Sequence, residues 1–187
     1  MVRVMRIMMP IVYGKLVAMT RYARTPLPSR LGFAAGFAIC AGLLAYAYYL
    51  QYVALQNPCP LCMVQRVVFY LLAAVFLLAA LHGPARRGRL IYGIAAFGVA
   101  ALGAAVAARH VWLQYLPADQ VPACGPGLEY MIKKFPLADV LTKVLMGSGE
   151  CAEAGWMFLG LTIAGWSLTW FVLLGVLALY LAFRQSH

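Results

Sequence analysis

Residues 31–50 read LGFAAGFAICAGLLAYAYYL, a stretch without a single charged side chain. Because a helix rises 1.5 Å per residue, about 20 apolar residues cross a hydrocarbon core of about 30 Å. Further apolar stretches follow at about 63–81, 90–108 and 156–183. The bilayer core offers the backbone no water, so each stretch is expected to satisfy its own hydrogen bonds as a helix. The sequence thus predicts an all-α integral membrane protein, a four-helix bundle.

The overall composition agrees with this fold class. Of the 187 residues, 65% are hydrophobic and 11% are charged, against about 45–50% and about 25% in soluble domains. These values exclude a soluble globular domain, a disordered chain and a disulfide-rich miniprotein. The formal net charge is +10, which in a soluble protein would suggest nucleic-acid binding.

The positions of the charged residues indicate membrane topology and not nucleic-acid binding. All five acidic residues lie in the segment 112–155, where three lysines leave a net charge of −2. Because cytoplasmic loops are enriched in Lys and Arg, we expect both termini in the cytoplasm and the loops at about 51–62 and 112–155 in the periplasm. No nucleic-acid partner is expected. The segments assigned to the cytoplasm contain no acid and carry Arg3, Arg6, Lys15, Arg21, Arg24, Arg30, Arg86, Arg87, Arg89 and Arg184.

The predicted organisation has three parts. Residues 1–30 form a basic cytoplasmic extension, within which Met19 is an alternative start. Residues 31–183 form a single transmembrane domain, and residues 184–187 are a cytoplasmic tail. In the second periplasmic loop, apolar residues recur at positions 137, 140, 141, 144 and 145, a helical spacing. We expect a short amphipathic helix there, with its apolar face on the outer surface of the bilayer.

Four of the five cysteines fall in the segments assigned to the periplasm. Cys40 lies inside the first span and is expected to be a packing residue. Cys59, Cys62, Cys124 and Cys151 face a compartment in which disulfides persist, so we expect two disulfides. Three pairings of these four residues are open on sequence alone.

The motif Cys59-Pro60-Leu61-Cys62 differs from a structural disulfide. A ring this small restricts the unfolded chain little, and such motifs usually serve redox exchange or metal binding. The oxidising compartment and the long gap between Cys124 and Cys151 argue against zinc, and no metal is expected. Cys62 begins the second span, where the helix dipole favours a thiolate. Arg66, one turn on, either supports that thiolate or is an arginine that snorkels to the interface.

Together these motifs resemble the DsbB family, bacterial inner-membrane oxidases that regenerate the periplasmic thiol oxidase DsbA. The resemblance covers about residues 31–183, and its motifs are highly specific in combination. One departure is Gln65, where family members often carry an acid. The matching features are Pro58-Cys59-Pro60-Leu61-Cys62, Arg66, His110 and the run Ser148-Gly149-Glu150-Cys151-Ala152-Glu153 leading to Trp156.

The resemblance implies a disulfide:quinone oxidoreductase. Reduced DsbA would attack a Cys124–Cys151 disulfide and form a mixed disulfide with Cys124. Electrons would pass to the Cys59–Cys62 pair, through a Cys59–Cys151 bridge, and from Cys62 to ubiquinone at the outer end of the bundle. Menaquinone is the second candidate, under anaerobic conditions. DsbA is a strong oxidant, at about −120 mV, so its own oxidant must be stronger still.

The resemblance also implies three further residues at the quinone. Arg66 would stabilise negative charge, His110 would hydrogen-bond a quinone oxygen or move its protons, and Trp156 would line the pocket. His110 and Trp156 each have an alternative as ordinary interfacial residues. Two alternatives for the whole chain stay open, an enzyme resembling VKOR, in which the CxxC opens a late span, and a structural membrane protein with inert disulfides.

Overall fold

The computed structural model describes residues 27–117, 119–121, 130, 133–152 and 157–184. Within these residues, four helices are long and apolar enough to cross a membrane. They are α1 (Leu27–Tyr52), α2 (Pro60–His82), α3 (Arg86–Gln114) and α6 (Ile163–Phe183). Two short helices, α4 (Leu137–Met146) and α5 (Gly149–Ala152), and a hairpin of β1 (Met157–Phe158) and β2 (Leu161–Thr162) connect α3 to α6. The predicted all-α four-helix membrane fold is confirmed.

Local capping sets the helix ends, which differ from the limits of the apolar stretches. Helix α2 begins at Pro60, which suits the first helical position, and ends at Gly83 in the left-handed conformation with φ 55°. Helix α3 continues to Gln114, so that His110 lies within a helix. Helices α1, α2 and α3 all extend beyond their predicted spans.

The fourth helix requires a correction, because it begins at Ile163 and not at about 156. Residues 157–162 form the hairpin, whose turn holds Leu159 at φ 50° and Gly160 at φ 78°. Two successive residues in the left-handed region cannot belong to a right-handed helix. The side chain of Thr162 then accepts a hydrogen bond from the Gly165 N–H and caps α6.

A core of apolar side chains joins the four long helices. The rings of Phe69 on α2 and Phe171 on α6 stack with their centroids 4.0 Å apart. Helices α3 and α6 approach closely at Gly103, where a methyl group would overlap the Phe171 ring. Cys40 is fully buried in this apolar core, which also contains Phe33, Leu44, Val68, Leu72, Phe76, Ala100 and Leu174.

Helix α4 lies where the apolar spacing predicts a helix, but two of its apolar side chains face the protein. Val140 and Val144 are buried, and they pack with Leu61, Val106 and Leu113 from the ends of α2 and α3. The expectation that this face lies on the bilayer surface is therefore wrong for these two residues. The outer ends of α2 and α3 present apolar side chains of their own, and burying them against α4 removes both surfaces from water.

Candidate functional site

Three cysteines and one histidine meet at one end of the bundle. Cys59 Sγ lies 2.8 Å from Cys62 Sγ and 3.7 Å from His110 Nε2. The ligand atoms of Cys59, His110 and Cys151 all lie within 4.8 Å of one another. These four residues, called the thiol cluster below, come from the start of α2, the last turns of α3 and the short helix α5. The described cysteines are free thiols.

The start of α2 holds the CxxC motif in place. Cys59 caps the helix with extended backbone angles, φ −67° and ψ 163°, and the fixed φ of Pro60 opens the first turn. The Cys62 N–H donates to Cys59 Sγ at 3.3 Å. This backbone N–H would otherwise have no partner within the helix. A sulfur thus takes the capping position that a Ser, Thr or Asp oxygen usually fills.

Cys151 reaches the CxxC because two tight segments precede it. Gly147, with φ 85°, ends α4 close against Leu113. The Cys151 N–H then donates to the Ser148 carbonyl at 2.8 Å, and the Ser148 hydroxyl lies 3.7 Å from Cys151 Sγ. Cys151 is fully buried at the end of this turn. The second loop therefore places the Cys151 thiol next to the CxxC motif of the first loop.

The environment favours the protonated forms of two of these thiols. A hydrogen bond with Cys151 lowers the pKa of Cys59, but the hydrogen bond to Cys62, burial and repulsion from Cys62 outweigh it and raise the pKa to about 12. The hydrogen bond with Cys59 and burial raise the pKa of the Cys151 thiol. At neutral pH the reduced cluster therefore keeps protons on Cys59 and Cys151. A negative charge in the cluster belongs on Cys62, at the positive end of the α2 dipole.

Gln65 orients the histidine. It is 3% exposed, and its Nε2 lies 3.1 Å from His110 Nδ1. With the amide nitrogen donating, Nδ1 accepts and the ring proton stays on Nε2, which points at Cys59 Sγ. A carboxylate at position 65 would accept from Nδ1–H instead and favour a different proton arrangement. Because an amide can donate or accept, the orientation of the Gln65 side chain decides which histidine nitrogen carries the proton.

Arg66 is tied to α1. Its guanidinium donates to the Ala47 carbonyl at 3.0 Å and to Gln51 Oε1, and it lies 5.2 Å from the centroid of the Tyr48 ring. These contacts hold the Arg66 guanidinium against α1. An arginine that snorkels freely would not make three such contacts with one neighbouring helix.

A cavity of about 350 Å³ opens beside the cluster. Cys62, Gln65, Arg66 and His110 are among the polar residues of its lining, and Trp170 is among the apolar ones. An apolar cavity of this size with a few polar groups is typical of a small-molecule site. The apolar lining also includes Leu43, Leu44, Phe69, Phe158, Ile163 and Trp166.

Five of the seven predicted site residues therefore meet in one place. Cys124 and Trp156 lie outside the described residues. Spacing on α2 could have identified Gln65, since it follows Cys62 by three residues on the same face. The roles of Gln51 and Trp170 depend on contacts between helices that no local pattern indicates. The residues brought together are Cys59, Cys62, Arg66, His110 and Cys151.

Arg109, beside the histidine, ties α3 to the second loop. Its guanidinium donates to the Met146 carbonyl at 3.1 Å and lies 4.3 Å from the centroid of the Trp112 ring. The bond satisfies one of the last carbonyls of α4, which lack partners within that helix. Arg109 thus helps to hold the loop that carries Cys151.

Comparison with known proteins gives consistent results. A family model described as "Disulfide bond formation protein DsbB" matches residues 29–181. Similar proteins named disulfide bond formation protein B include one from Hahella chejuensis, 54% identical over 136 residues, which cover 73% of this chain and 82% of the relative. One from Nitrosococcus oceani is 52% identical over 154 residues, 82% of this chain and 91% of the relative. One from Marinobacter nauticus is 49% identical over 159 residues, 85% of this chain and 95% of the relative.

Proposed function

The chain belongs to the DsbB family of disulfide bond formation proteins, and on that premise we propose that it reoxidises a DsbA-type periplasmic thiol oxidase and passes the electrons to ubiquinone. One observation carries the proposal. Cys151 Sγ of the second loop lies within 4.8 Å of Cys59 Sγ in the first loop. Cys59 and Cys62 both line a cavity suited to a small molecule. Thiol–disulfide exchange requires such access of one sulfur to another.

The first steps move a disulfide between the loops. A thiolate of the reduced oxidase attacks Cys124 Sγ and breaks a Cys124–Cys151 disulfide, which releases Cys151 as a thiolate. Cys151 then attacks Cys59 Sγ, forms a Cys59–Cys151 disulfide and releases Cys62 as a thiolate. The second oxidase thiol breaks its bond to Cys124 and leaves the oxidase oxidised.

The remaining steps restore the protein. Cys124 attacks Cys151, re-forms the Cys124–Cys151 disulfide and releases Cys59. Cys59 and Cys62 then give up two electrons and regenerate their own disulfide. When bound, ubiquinone supplies the acceptor for these two electrons and for two protons. The balance is one oxidase dithiol converted to a disulfide for each quinone reduced to quinol.

The walls of the cavity fit this acceptor. Arg66 offers a positive charge and His110 a ring nitrogen, and both residues line the cavity together with Cys62. We assign Arg66 to stabilising negative charge on Cys62 or on a quinone oxygen. We assign His110 to holding a proton at Nε2, between Cys59 and the cavity. Trp156 is proposed as a further wall residue.

Membrane orientation and boundaries complete the proposal. The basic segments place both termini in the cytoplasm and the thiol cluster at the periplasmic side of the inner membrane. Because α1 already begins at Leu27, the proposed basic cytoplasmic extension shortens from residues 1–30 to residues 1–26. The proposed transmembrane domain then continues to residue 183, and residues 184–187 are the proposed cytoplasmic tail. The oxidising periplasm then maintains the disulfides that the exchange steps require.

The test is quinone-dependent oxidation of a reduced DsbA-type oxidase by the purified protein. Cys124→Ser should abolish turnover, because the oxidase loses its point of attack. Cys62→Ser should block quinone reduction yet still give a covalent adduct with the oxidase. Cys40→Ser, in the apolar core, is the matched control and should keep full turnover. Full turnover in both Cys59→Ser and Cys62→Ser would refute the proposal.

A further inference from the structure

The thiol cluster has a second chemical property that electron transfer does not use. The ligand atoms of Cys59, Cys151 and His110 lie within 4.8 Å of one another, and all three residues are buried. Cys62 Sγ lies 2.8 Å from Cys59 Sγ and supplies a fourth donor. Three thiols and one imidazole are a donor set that zinc binds in tetrahedral geometry.

The distances suit a metal ion after small side-chain movements. With metal–sulfur bonds of about 2.3 Å and metal–nitrogen bonds of about 2.0–2.1 Å, neighbouring donors of a tetrahedral site lie about 3.5–3.8 Å apart. Cys59 Sγ and His110 Nε2 are already 3.7 Å apart. A change of side-chain rotamer would move Cys62 Sγ away from Cys59 Sγ, toward the cavity that Cys62 lines.

Gln65 can support the metal-bound histidine as well as the free one. A metal on Nε2 requires the ring proton to sit on Nδ1, which then needs an acceptor. Gln65 lies 3.1 Å from Nδ1, and rotation of its amide presents Oε1 in place of Nε2. Metal-ligating histidines usually have such a partner on the second nitrogen.

Positive groups near the cluster offset part of the charge, although one acid, Glu150, lines the same cavity. Three thiolates around a divalent cation leave a net charge of −1. The Cys62 N–H donates to Cys59 Sγ, and the positive end of α2 lies at the same place. Arg66 adds a positive charge one turn further along α2.

We propose that the fully reduced protein captures a soft divalent cation, with Zn²⁺ as the physiological example, on Cys59, Cys62, Cys151 and His110. Binding replaces the three thiol protons, and no electrons move. A protein with a Cys59–Cys62 or Cys59–Cys151 disulfide lacks the thiolates and does not bind. The bound metal therefore stabilises the reduced form of the protein and blocks reoxidation of its thiols. This consequence rests on the proposed function.

Metal titration of the full-length purified protein tests the site directly. We expect the reduced protein to bind one Cd²⁺, with an ultraviolet thiolate-to-cadmium charge-transfer band, and to bind Zn²⁺ in competition. The oxidised protein should show no band, and Mg²⁺ should not compete. Cys151→Ser and His110→Ala should each weaken binding at least about tenfold. Cys40→Ser, in the apolar core, should bind as the wild type does.

Two results would overturn the proposal. One is the absence of a stoichiometric band in the reduced protein. The other is wild-type affinity in both Cys151→Ser and His110→Ala. The titration needs neither quinone nor oxidase, so it separates this proposal from the proposed function. Failure to bind metal by a protein that turns over refutes only the metal site, and binding by a protein that does not turn over refutes only the enzyme.

Inhibition provides a second readout. Zn²⁺ added to the reduced protein before quinone should stop reoxidation, and a chelator should restore it. Zn²⁺ added to the oxidised protein should act only after the first reduction. Equal inhibition of both forms from the start would contradict a site made of cluster thiolates.

Discussion

The apolar core and the thiol cluster are both buried, but they are built in different ways. The apolar core takes its side chains from the four long helices, and its aromatic contacts, such as Phe69 on Phe171, are nonpolar. The thiol cluster joins α2, α3 and the short helix α5, and it is surrounded by apolar residues that include Val140 and Val144 of α4. Each region contains at least one cysteine, yet we expect chemistry in only one of them.

The difference lies in the neighbours of each thiol. Cys40 belongs to a group of apolar side chains on the membrane helices. Cys59 has Cys62, Cys151 and His110 at short distance. Burial by itself makes a cysteine an inert packing residue. Close contact with other sulfurs is the arrangement that thiol–disulfide exchange requires.

The largest effect should come from removing a thiol on each side of this comparison. Cys151→Ala should lower turnover at least about 10³-fold, because Cys59 then has no inter-loop partner. Cys40→Ala should leave turnover within about twofold. Oxidase-to-quinone turnover measured on both variants checks this. Similar losses in both would mean that the two buried thiols are equivalent.

The two described histidines of the long helices give the next contrast. His110→Phe should reduce turnover about 10²-fold, the usual contribution of a positioned proton carrier. His82, which contacts the Tyr92 hydroxyl at the other end of α2, is the control, and His82→Phe should have little effect. The measurement is turnover at saturating quinone. An unchanged rate in His110→Phe would return this residue to a packing role.

Gln65 should have a smaller effect because it acts through His110. Gln65→Leu leaves Nδ1 without its partner and should lower turnover about tenfold. Gln65→Glu keeps a hydrogen bond to the ring and should recover part of the loss. Gln120→Leu, on an exposed turn, controls for loss of an amide. Equal activity of Gln65→Leu and wild type would remove Gln65 from the site.

Two glycines on α3 test the apolar core. Gly103→Ala would overlap the Phe171 ring and should destabilise the fold by about 1–3 kcal/mol. A methyl group at Gly98 meets nothing within 4 Å, and Gly98→Ala should stabilise the helix by about 0.5–1 kcal/mol. Thermal unfolding in detergent, followed by circular dichroism, measures both. Turnover per folded molecule should be unchanged, and a specific loss of turnover in Gly103→Ala would contradict the separation of the two regions.

The helices that form the apolar core were largely predictable, because each one corresponds to a continuous apolar stretch of the sequence. Apolar stretches of membrane-spanning length identify α1, α2, α3 and α6 without knowledge of their contacts. The helix ends were less predictable, since capping by Cys59 and Gly83 depends on a few backbone angles. The hairpin before α6 was missed because an apolar stretch does not reveal the positive φ angles of Leu159 and Gly160.

The individual residues of the candidate site were predictable, but the contacts between those from different segments were not. Cys59, Cys62 and Arg66 follow from spacing on one helix. That Cys151 and His110 reach Cys59 depends on the packing of α4 and α5 against α2 and α3. Hydropathy did not predict that packing, because an apolar helix face suits a bilayer surface as well as a protein surface.

The central claim is that the disulfide passes from one loop to the other through Cys59 and Cys151. The direct measurement mixes the oxidised protein, freed of quinone, with reduced DsbA-type oxidase, quenches with acid over a time course and maps peptides without reduction. We predict a peptide pair joined by Cys59 and Cys151, which forms together with the mixed disulfide at Cys124. Reduction of the Cys59–Cys62 pair with no Cys59–Cys151 peptide at any time would contradict the account.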